Sequence, residues 1–546
     1  MTTQMFIKNK NQIILLMVNV FLIFFLILLS NMKVLPLQLG DFIFFAILTL
    51  ALALYRPGWV FLFFAGTVML ENINLAPAEL GIAIRPYQFF GGLTILAIII
   101  RLSTNRLNFK LTKLIWYDFL IIIMGVASFL SVAGSQTKGV SLKQSVIVVS
   151  FIFLYFLARN YVQTTDDLKK IIPFFLSSSV VVMFYGIWQN VRFLHNLSSF
   201  EVMPGRPNAS FAEADWLGIF LVLLLAAMYS VIYFFDRDRD NAVSVISNFQ
   251  FPIFKQFSIS KYQIFKTALY LFLTLVFISL ILTVSRSAWL GALGVTAIFL
   301  FVAFTDLKWN FQQWQWKETI RLKIKIISAF IISLAIVYIF SLTNFQLFNR
   351  VRSTGTGLQK ITIACPGGLD MAIPQTVNSE DEYVRYGCRH INLEEIDQEK
   401  KIGNIVSEIY RKDPNVNIRS VVYGKSWRLI KEHPVLGIGW GTISDFLGTD
   451  ERGAGLNASN IFLEVWLGAG LLGLLSFIAI WAFVIAAALK NFLRKDTDTK
   501  TAGLFILLGF FALLIPNMFN SGILLGFLWL FLAVAGINPE KIKTKV

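Results

Sequence analysis

The chain has 546 residues and a formal net charge of +16 at pH 7; 56% of its residues are apolar and only 15% are charged. Because soluble domains carry about 25% charged residues, this composition excludes an ordinary soluble protein. The apolar residues fall in runs of about 20, the length of a membrane-spanning helix. The expected fold is therefore an all-α polytopic membrane protein.

Fourteen apolar segments fit membrane spans, and because several are short we expect about 12–14 transmembrane helices. The segments lie at about 12–30, 40–55, 58–71, 86–100, 114–133, 144–158, 171–190, 216–235, 267–284, 288–304, 326–343, 470–489, 501–516 and 522–537. The first one follows Lys8 and Lys10 and also fits a signal peptide. The many later segments, and the lack of a clear small-residue cleavage site, favour a retained helix.

The basic residues are concentrated in alternate links between these segments. With the N-terminus in the cytoplasm, 27 of the 48 Lys and Arg residues fall in cytoplasmic segments. This is the positive-inside bias of a multispan protein, so we predict that both the N- and the C-terminus are cytoplasmic. The bias accounts for the net charge without a nucleic-acid partner, and membrane lipid is the expected surrounding.

The sequence divides into four parts. They are N-terminal transmembrane helices (1–190), transmembrane helices carrying outer-face arginines (191–343), a large extracytoplasmic loop domain (344–458) and C-terminal transmembrane helices (459–546). The loop domain carries 14 basic and 14 acidic residues and few apolar runs, and its sequence is compatible with helix. Since it is the one soluble-like region, chemistry outside the membrane is expected to involve it.

Both cysteines of the chain, Cys365 and Cys388, lie in this loop domain. Two thiols in an extracytoplasmic loop predict one disulfide, the alternative being two free thiols. One cysteine pair with His390 is too small a set for a structural zinc site. Motifs for nucleotide binding are also missing from the sequence, so we expect neither a metal nor a nucleotide cofactor.

Two arginines lie at predicted outer ends of spans. Arg206 precedes a span in VMPGRPNASFAEADWLGIF, and Arg286 occupies a tight turn in LILTVSRSAWLGALGV. Two guanidiniums that converge on one cavity would suit a diphosphate, because each is a planar bidentate donor. The alternative is that they snorkel to lipid headgroups. Glu213 and Asp215 stand beside Arg206, either as its ion-pair partners or with one of them as a base.

Four segments, in this order, resemble the O-antigen ligase/polymerase family of bacterial envelope glycosyltransferases. RPNASFAEADWLGIFL resembles the family's arginine-containing entry to a span, and TVSRSAWLGAL resembles its Ser-Arg turn. RSVVYGKSWRLIKEHPVLGIGWGTI is similar to its segment from Arg to His-Pro-x-x-Gly-x-Gly. GLNASNIFLEVWLGAGLLG is similar to its His-Asn, nine residues, Gly motif. The resemblance covers about 200–490, and the N-terminal third agrees in topology only.

The resemblance implies an integral-membrane glycosyltransferase of the bacterial inner membrane. Such enzymes transfer a glycan from undecaprenyl diphosphate to a hydroxyl of a lipid, glycan or protein acceptor. It implies that Arg206 and Arg286 hold the diphosphate and stabilise the leaving charge, without metal or nucleotide. Arg352 and Arg419 are candidates for glycan or phosphate contact, or are solvated loop charges. Ligase and polymerase are not distinguished.

The chain departs from the family at Ser459, where the motif has histidine, while Asn460 and Gly470 agree with it. A serine can hydrogen-bond a hydroxyl but cannot take up its proton at neutral pH. Either another residue is the base, or departure of the diphosphate makes a strong base unnecessary, or the activity is lost or changed. The candidate bases are Glu464, Asp445, Asp215 and His433. Glu464 shares a helix face with Asn460, four residues earlier.

Two other classes of function remain open at this point. A transporter or flippase of lipid-linked glycans would carry charges within several spans and pseudo-symmetric halves, and the sequence has no visible repeat. A non-catalytic partner of a glycan-assembly complex would explain Ser459.

Overall fold

A computed structural model describes most of the chain. The described residues are 9–107, 109–203, 205–237, 261–308, 310–343, 347, 357–367, 374–378, 380–391, 396–412, 414–449, 453 and 455–537. They form long helices, with one small β-sheet between the eleventh and the last three apolar helices.

The apolar helices come in two blocks. The first block is α1 (Asn9–Asn31), α2 (Leu39–Tyr55), α3 (Pro57–Thr67), α4 (Pro86–Ser103), α5 (Trp116–Leu130), α6 (Lys138–Tyr161), α7 (Thr165–Leu194), α8 (Ala214–Arg237), α9 (Lys261–Leu282), α10 (Arg286–Thr305) and α11 (Trp316–Ile339). Between the blocks lie β1 (Leu358–Cys365), β2 (Thr376–Val377), α12 (Glu380–Val384), β3 (Arg389–His390), α13 (Ile396–Lys401), β4 (Ile405–Lys412), α14 (Pro414–Glu432) and α15 (Ile443–Leu447). The second block is α16 (Ile461–Phe492), α17 (Thr497–Asn517) and α18 (Gly526–Ala535).

The apolar helices coincide with the predicted spans. In the described part of the chain, eleven helices are long and apolar enough to cross a membrane, and α2, α3 and α18 are shorter apolar helices. The prediction of an all-α polytopic membrane protein is therefore confirmed. The largest differences lie at two helix starts, because α16 begins at Ile461 and not at 470, and α11 begins at Trp316 and not at 326.

The loop domain contains a four-stranded sheet in the order β2-β4-β1-β3. The antiparallel pairing of β1 with β4 runs from Leu358 opposite Lys412 to Cys365 opposite Ile405. Cys365 is joined to Cys388 by a disulfide and packs in a small apolar core of this sheet. The expectation of helix was wrong for this part, because the run of β-branched residues Ile361-Thr362-Ile363 in LQKITIAC favours a strand.

Loops that are distant in sequence meet at one end of the helical bundle, which we call the rim end. It consists of 68–85, 205–213, 283–285, 456–460 and 517–525. The backbone N–H of Asn72 donates to Ser210 O at 2.8 Å, which joins the first two loops. Side-chain hydrogen bonds described below join the other three loops.

The opposite end of the bundle, called the basic end, is held by lysine–aspartate pairs. Lys500 Nζ lies 2.6 Å from Asp306 Oδ1, which also accepts a hydrogen bond from Tyr233 at 2.9 Å. Lys169 Nζ lies 2.6 Å from Asp498 Oδ2. These pairs connect α7, α8 and α17 with the turn after α10.

Candidate active site at the rim end

Arg206 is a buried side chain of the rim end, with 8% of its surface exposed. Its Nε donates to Thr283 O at 3.1 Å, and its Nη2 donates to Asp215 Oδ1 at 3.2 Å. Its Nη1 lies 3.6 Å from Met203 Sδ, a weak acceptor. The guanidinium is thus turned into the protein, which is the opposite of snorkelling to lipid.

Asp215 connects Arg206 to a chain of hydroxyl and amide groups. Its Oδ1 accepts a hydrogen bond from Ser285 Oγ at 2.5 Å, and Ser285 Oγ lies 3.2 Å from Ser287 Oγ. Ser287 Oγ accepts from Asn520 Nδ2 at 2.9 Å. Of the two predicted roles, Asp215 has that of ion-pair partner, and the polar chain crosses from α8 over α10 to the loop before α18.

Arg286 is the first residue of α10 and is half-buried. The residue before it, Ser285, makes no side-chain cap to the first turn, because its hydroxyl donates to Asp215. The N–H groups of a first helical turn have no partner within the helix, and the helix dipole makes this end positive. Arg286 therefore stands at an electropositive helix end. Glu213, the residue before α8, is also half-buried at the rim.

Close packing of α10 on α17 brings Ser287 within reach of Asn520. A Cβ added at Gly291 would lie 2.7 Å from Pro516 Cγ, so any larger residue would push the two helices apart. Small residues that allow close backbone approach are typical of helix contacts in membranes. The glycine thus sets the distance across which the polar chain is formed.

Asn460, the N-cap of α16, belongs to a second part of the rim end. Its Oδ1 accepts from Phe462 N at 2.9 Å and from Leu463 N at 3.3 Å, as a helix N-cap does. Its Nδ2 donates to Met518 O at 3.2 Å. Asn460 therefore ties the start of α16 to the same loop, 517–525, that carries Asn520.

Ser459 is half-buried and has a positive φ of 50°. Its N–H donates to Asn457 Oδ1 at 2.8 Å. Glu464 accepts a hydrogen bond from Ala458 N at 2.6 Å, so its carboxylate holds the turn in which Ser459 lies. In the described part of the chain, no hydrogen bond joins Glu464 to the polar chain of Asp215.

Tyr423 on α14 connects the turn that contains Ser459 with the loop 517–525. Its hydroxyl oxygen lies 3.1 Å from Ser459 O and 3.2 Å from Met518 O, and its one hydrogen is shared between these two acceptors. Burial raises the pKa of Tyr423, so the hydroxyl remains protonated and can donate. Arg419, one turn earlier, stacks over the Phe519 ring at 5.9 Å. Arg419 thus reaches the rim, whereas Arg352 lies outside the described residues.

Gly470 interrupts α16 with φ 67° and ψ −170°. A Cβ at this position would lie 2.2 Å from Val435 O, which accepts a hydrogen bond from Leu471 N at 2.9 Å. Gly437 has φ 71°, and a Cβ at this position would lie 2.4 Å from Leu467 O. The His-Pro-x-x-Gly-x-Gly segment therefore docks on the break in α16, and both glycines are needed for that contact.

The structure places Asp215 against Arg206, and it places Ser285, the residue before Arg286, against Asp215. The convergence of the two arginines on a diphosphate stays a prediction. Two other predicted bases, Asp445 and His433, form no hydrogen bond with the polar chain among the described residues. Sequence reasoning missed four members of the site, namely Ser285, Ser287, Asn520 and Tyr423. Ser285 and Ser287 had a visible signal, since they flank Arg286 in the Ser-Arg turn.

A metal centre is not apparent in the described ranges. No group of three or more His, Cys, Asp or Glu side chains there could hold a metal ion. Metal independence stays a prediction.

Residues 270–478 match the family model described as O-antigen ligase. The matched range includes Arg286 and Asn460, whereas Arg206 and Asn520 lie outside it. No curated protein matches the chain.

Proposed function

Since residues 270–478 make this chain a member of the O-antigen ligase family, we propose that it transfers or polymerises a glycan carried on undecaprenyl diphosphate. The acceptor is a hydroxyl of a glycan, lipid or protein. The reaction takes place at the outer face of the bacterial inner membrane, with the rim end outside and both termini in the cytoplasm.

The observation that carries the proposal is the set of contacts that link Arg206 to the turn before α10. Arg206 is hydrogen-bonded to Thr283, three residues before Arg286. Each terminal nitrogen of Arg206 has a second hydrogen that no described residue accepts. Arg286 begins α10, whose N-terminus favours anions. This combination suits the diphosphate of the donor.

The reaction we propose is an in-line displacement at the anomeric carbon. The acceptor oxygen forms the new glycosidic bond, the bond from carbon to diphosphate breaks, and the hydroxyl proton passes to water at the rim. Arg206 and Arg286 neutralise the departing undecaprenyl diphosphate, which is the larger contribution to rate. Asp215 orients Arg206, and Ser459 does not have to act as a base.

The acceptor side of the site is assigned to the wall formed by Ser459 and Asn460. The Tyr423 and Glu464 contacts support this assignment, because they fix the turn on which both residues lie. Arg419 and Arg352 are proposed contacts of the glycan. Glu213 is a proposed contact at the entrance to α8.

Release of undecaprenyl diphosphate tests the proposal. The purified protein is incubated with an undecaprenyl-diphosphate-linked oligosaccharide and candidate acceptors, and release is expected only when an acceptor is present. Arg286→Ala is expected to slow release about 100-fold, the usual scale for loss of one donor to a developing anion. The matched control is Arg192→Ala, since Arg192 lies over the Trp188 ring and outside the polar chain.

Two results would contradict the proposal. If wild-type protein binds the lipid-linked donor but releases nothing with any acceptor, it is a non-catalytic partner and not an enzyme. If Arg286→Ala and Arg192→Ala both keep wild-type turnover, Arg286 does not hold the diphosphate.

A further inference from the structure

We propose that Asn520 binds the first sugar of the donor glycan, accepting a hydrogen bond from that sugar through Oδ1. Asn520 lies outside the matched range 270–478. The inference rests on the proposed function, since it assumes that a sugar is attached to the diphosphate beside Arg286.

The orientation of the Asn520 amide follows from its partners. Nδ2 lies 3.1 Å from Pro516 O and 2.9 Å from Ser287 Oγ. Because a backbone carbonyl can only accept, the atom that faces Pro516 must be the nitrogen and not the oxygen. Both hydrogens of the amide are used in these two contacts.

The Oδ1 atom of Asn520 is left as an open acceptor. Within the described part of the chain, no donor contacts it. Asn520 is half-buried, and its Oδ1 is not fully buried. A polar atom that is fixed and accessible in this way is available to a ligand.

The chemistry of Oδ1 selects the ligand group. A carbonyl oxygen cannot bind a phosphate oxygen, since both are acceptors, but it can bind a hydroxyl or amide hydrogen of a sugar. Its amide nitrogen is bonded to Ser287, the neighbour of Arg286. A diphosphate held by Arg286 therefore brings the sugar to which it is attached close to Asn520.

The loop that carries Asn520, 517–525, is fixed at both ends. The N–H of Gly526 donates to the buried Glu71 at 2.6 Å, and Met518 O accepts from Asn460 at 3.2 Å. A group that is already held in place costs less ordering entropy on binding. The loop thus presents Oδ1 in a preformed position.

Binding of two ligands to the full-length protein tests the inference. One ligand is undecaprenyl diphosphate without sugar, and the other is the same lipid carrying the oligosaccharide. Asn520→Ala is expected to raise the Kd of the sugar-bearing ligand about 10-fold, and to leave the Kd of undecaprenyl diphosphate unchanged. The control is Asn31→Ala, which should affect neither ligand, since among the described residues the Asn31 side chain bonds to Tyr185 and not to the polar chain.

The outcomes separate this inference from the proposed function. Equal weakening of both ligands, or no change in either, would overturn the role of Asn520, since its effect would then not depend on sugar. Failure of the wild type to bind either ligand would refute the proposed function itself, and the inference with it. Should Asn520→Ala not fold, Asn520→Ser gives the same expectation, because the shorter side chain cannot reach the position of Oδ1.

Discussion

The two ends of the helical bundle both hold charged side chains, but they use different ones. At the basic end, Lys500 and Lys169 each lie 2.6 Å from an aspartate oxygen. At the rim end, Arg206 shares the Asp215 carboxylate with Ser285. Lysine is a compact point charge, whereas the planar arginine fork can bind a second acceptor while it holds the first. The rim end is therefore better suited than the basic end to bind an added anion.

The largest effect on the rate of release is expected when the two kinds of cation are exchanged. Arg206→Lys is expected to slow release of undecaprenyl diphosphate about 100-fold, because a lysine cannot hold Thr283 O, Asp215 and a phosphate together. The reverse exchange, Lys500→Arg, keeps the pair with Asp306 and should change release less than about twofold. Equal losses in both variants would mean that arginine has no special role at the rim.

The second difference lies in the backbone, since the rim end contains the break in α16. Gly470→Ala is expected to destabilise the protein by about 2 kcal/mol or more, since it combines a positive φ with a clash against Val435 O. The loss is read as a lower Tm in detergent. Gly40→Ala is the control, because no atom lies within 4 Å of an added Cβ and its Tm should stay the same. A wild-type Tm for Gly470→Ala would mean that α16 can straighten without cost.

Replacing Ser459 with histidine adds a titratable group to the rim end. Histidine has an ordinary pKa of about 6.5 and accepts a proton only when neutral. Ser459→His should therefore add a limb in which the rate of release rises severalfold as the pH increases through about 6.5. Wild-type protein should lack this limb. A pH–rate profile measures both, and identical profiles would place position 459 away from the acceptor.

The smallest effect is expected for a pair at the basic end. Lys169 and Asp498 are about a third exposed, and exposed pairs contribute less than about 1 kcal/mol. Asp498→Ala should leave the rate of release unchanged and lower Tm by no more than a few degrees. A large loss of activity would show that the basic end also controls the reaction.

The helices could be predicted from the sequence because their cause is local: the length of an apolar run fixes a span. The alternation of spans predicts that Arg206 and Arg286 lie on the same side of a membrane, and this stays a prediction. Asn520 could not be found in this way, since its role depends on the distance between α10 and α17 that Gly291 sets. The sheet was missed because β1 pairs with β4, which is distant in sequence.

The pairing of β1 with β4 also has a consequence for how this protein can diversify. Leu358 lies opposite Lys412, so the polypeptide enters and leaves the sheet at adjacent points. Segments with adjacent ends can be lengthened or replaced with little change in the scaffold that carries them. The sheet is thus a segment that could be exchanged with little change in the helices on either side of it.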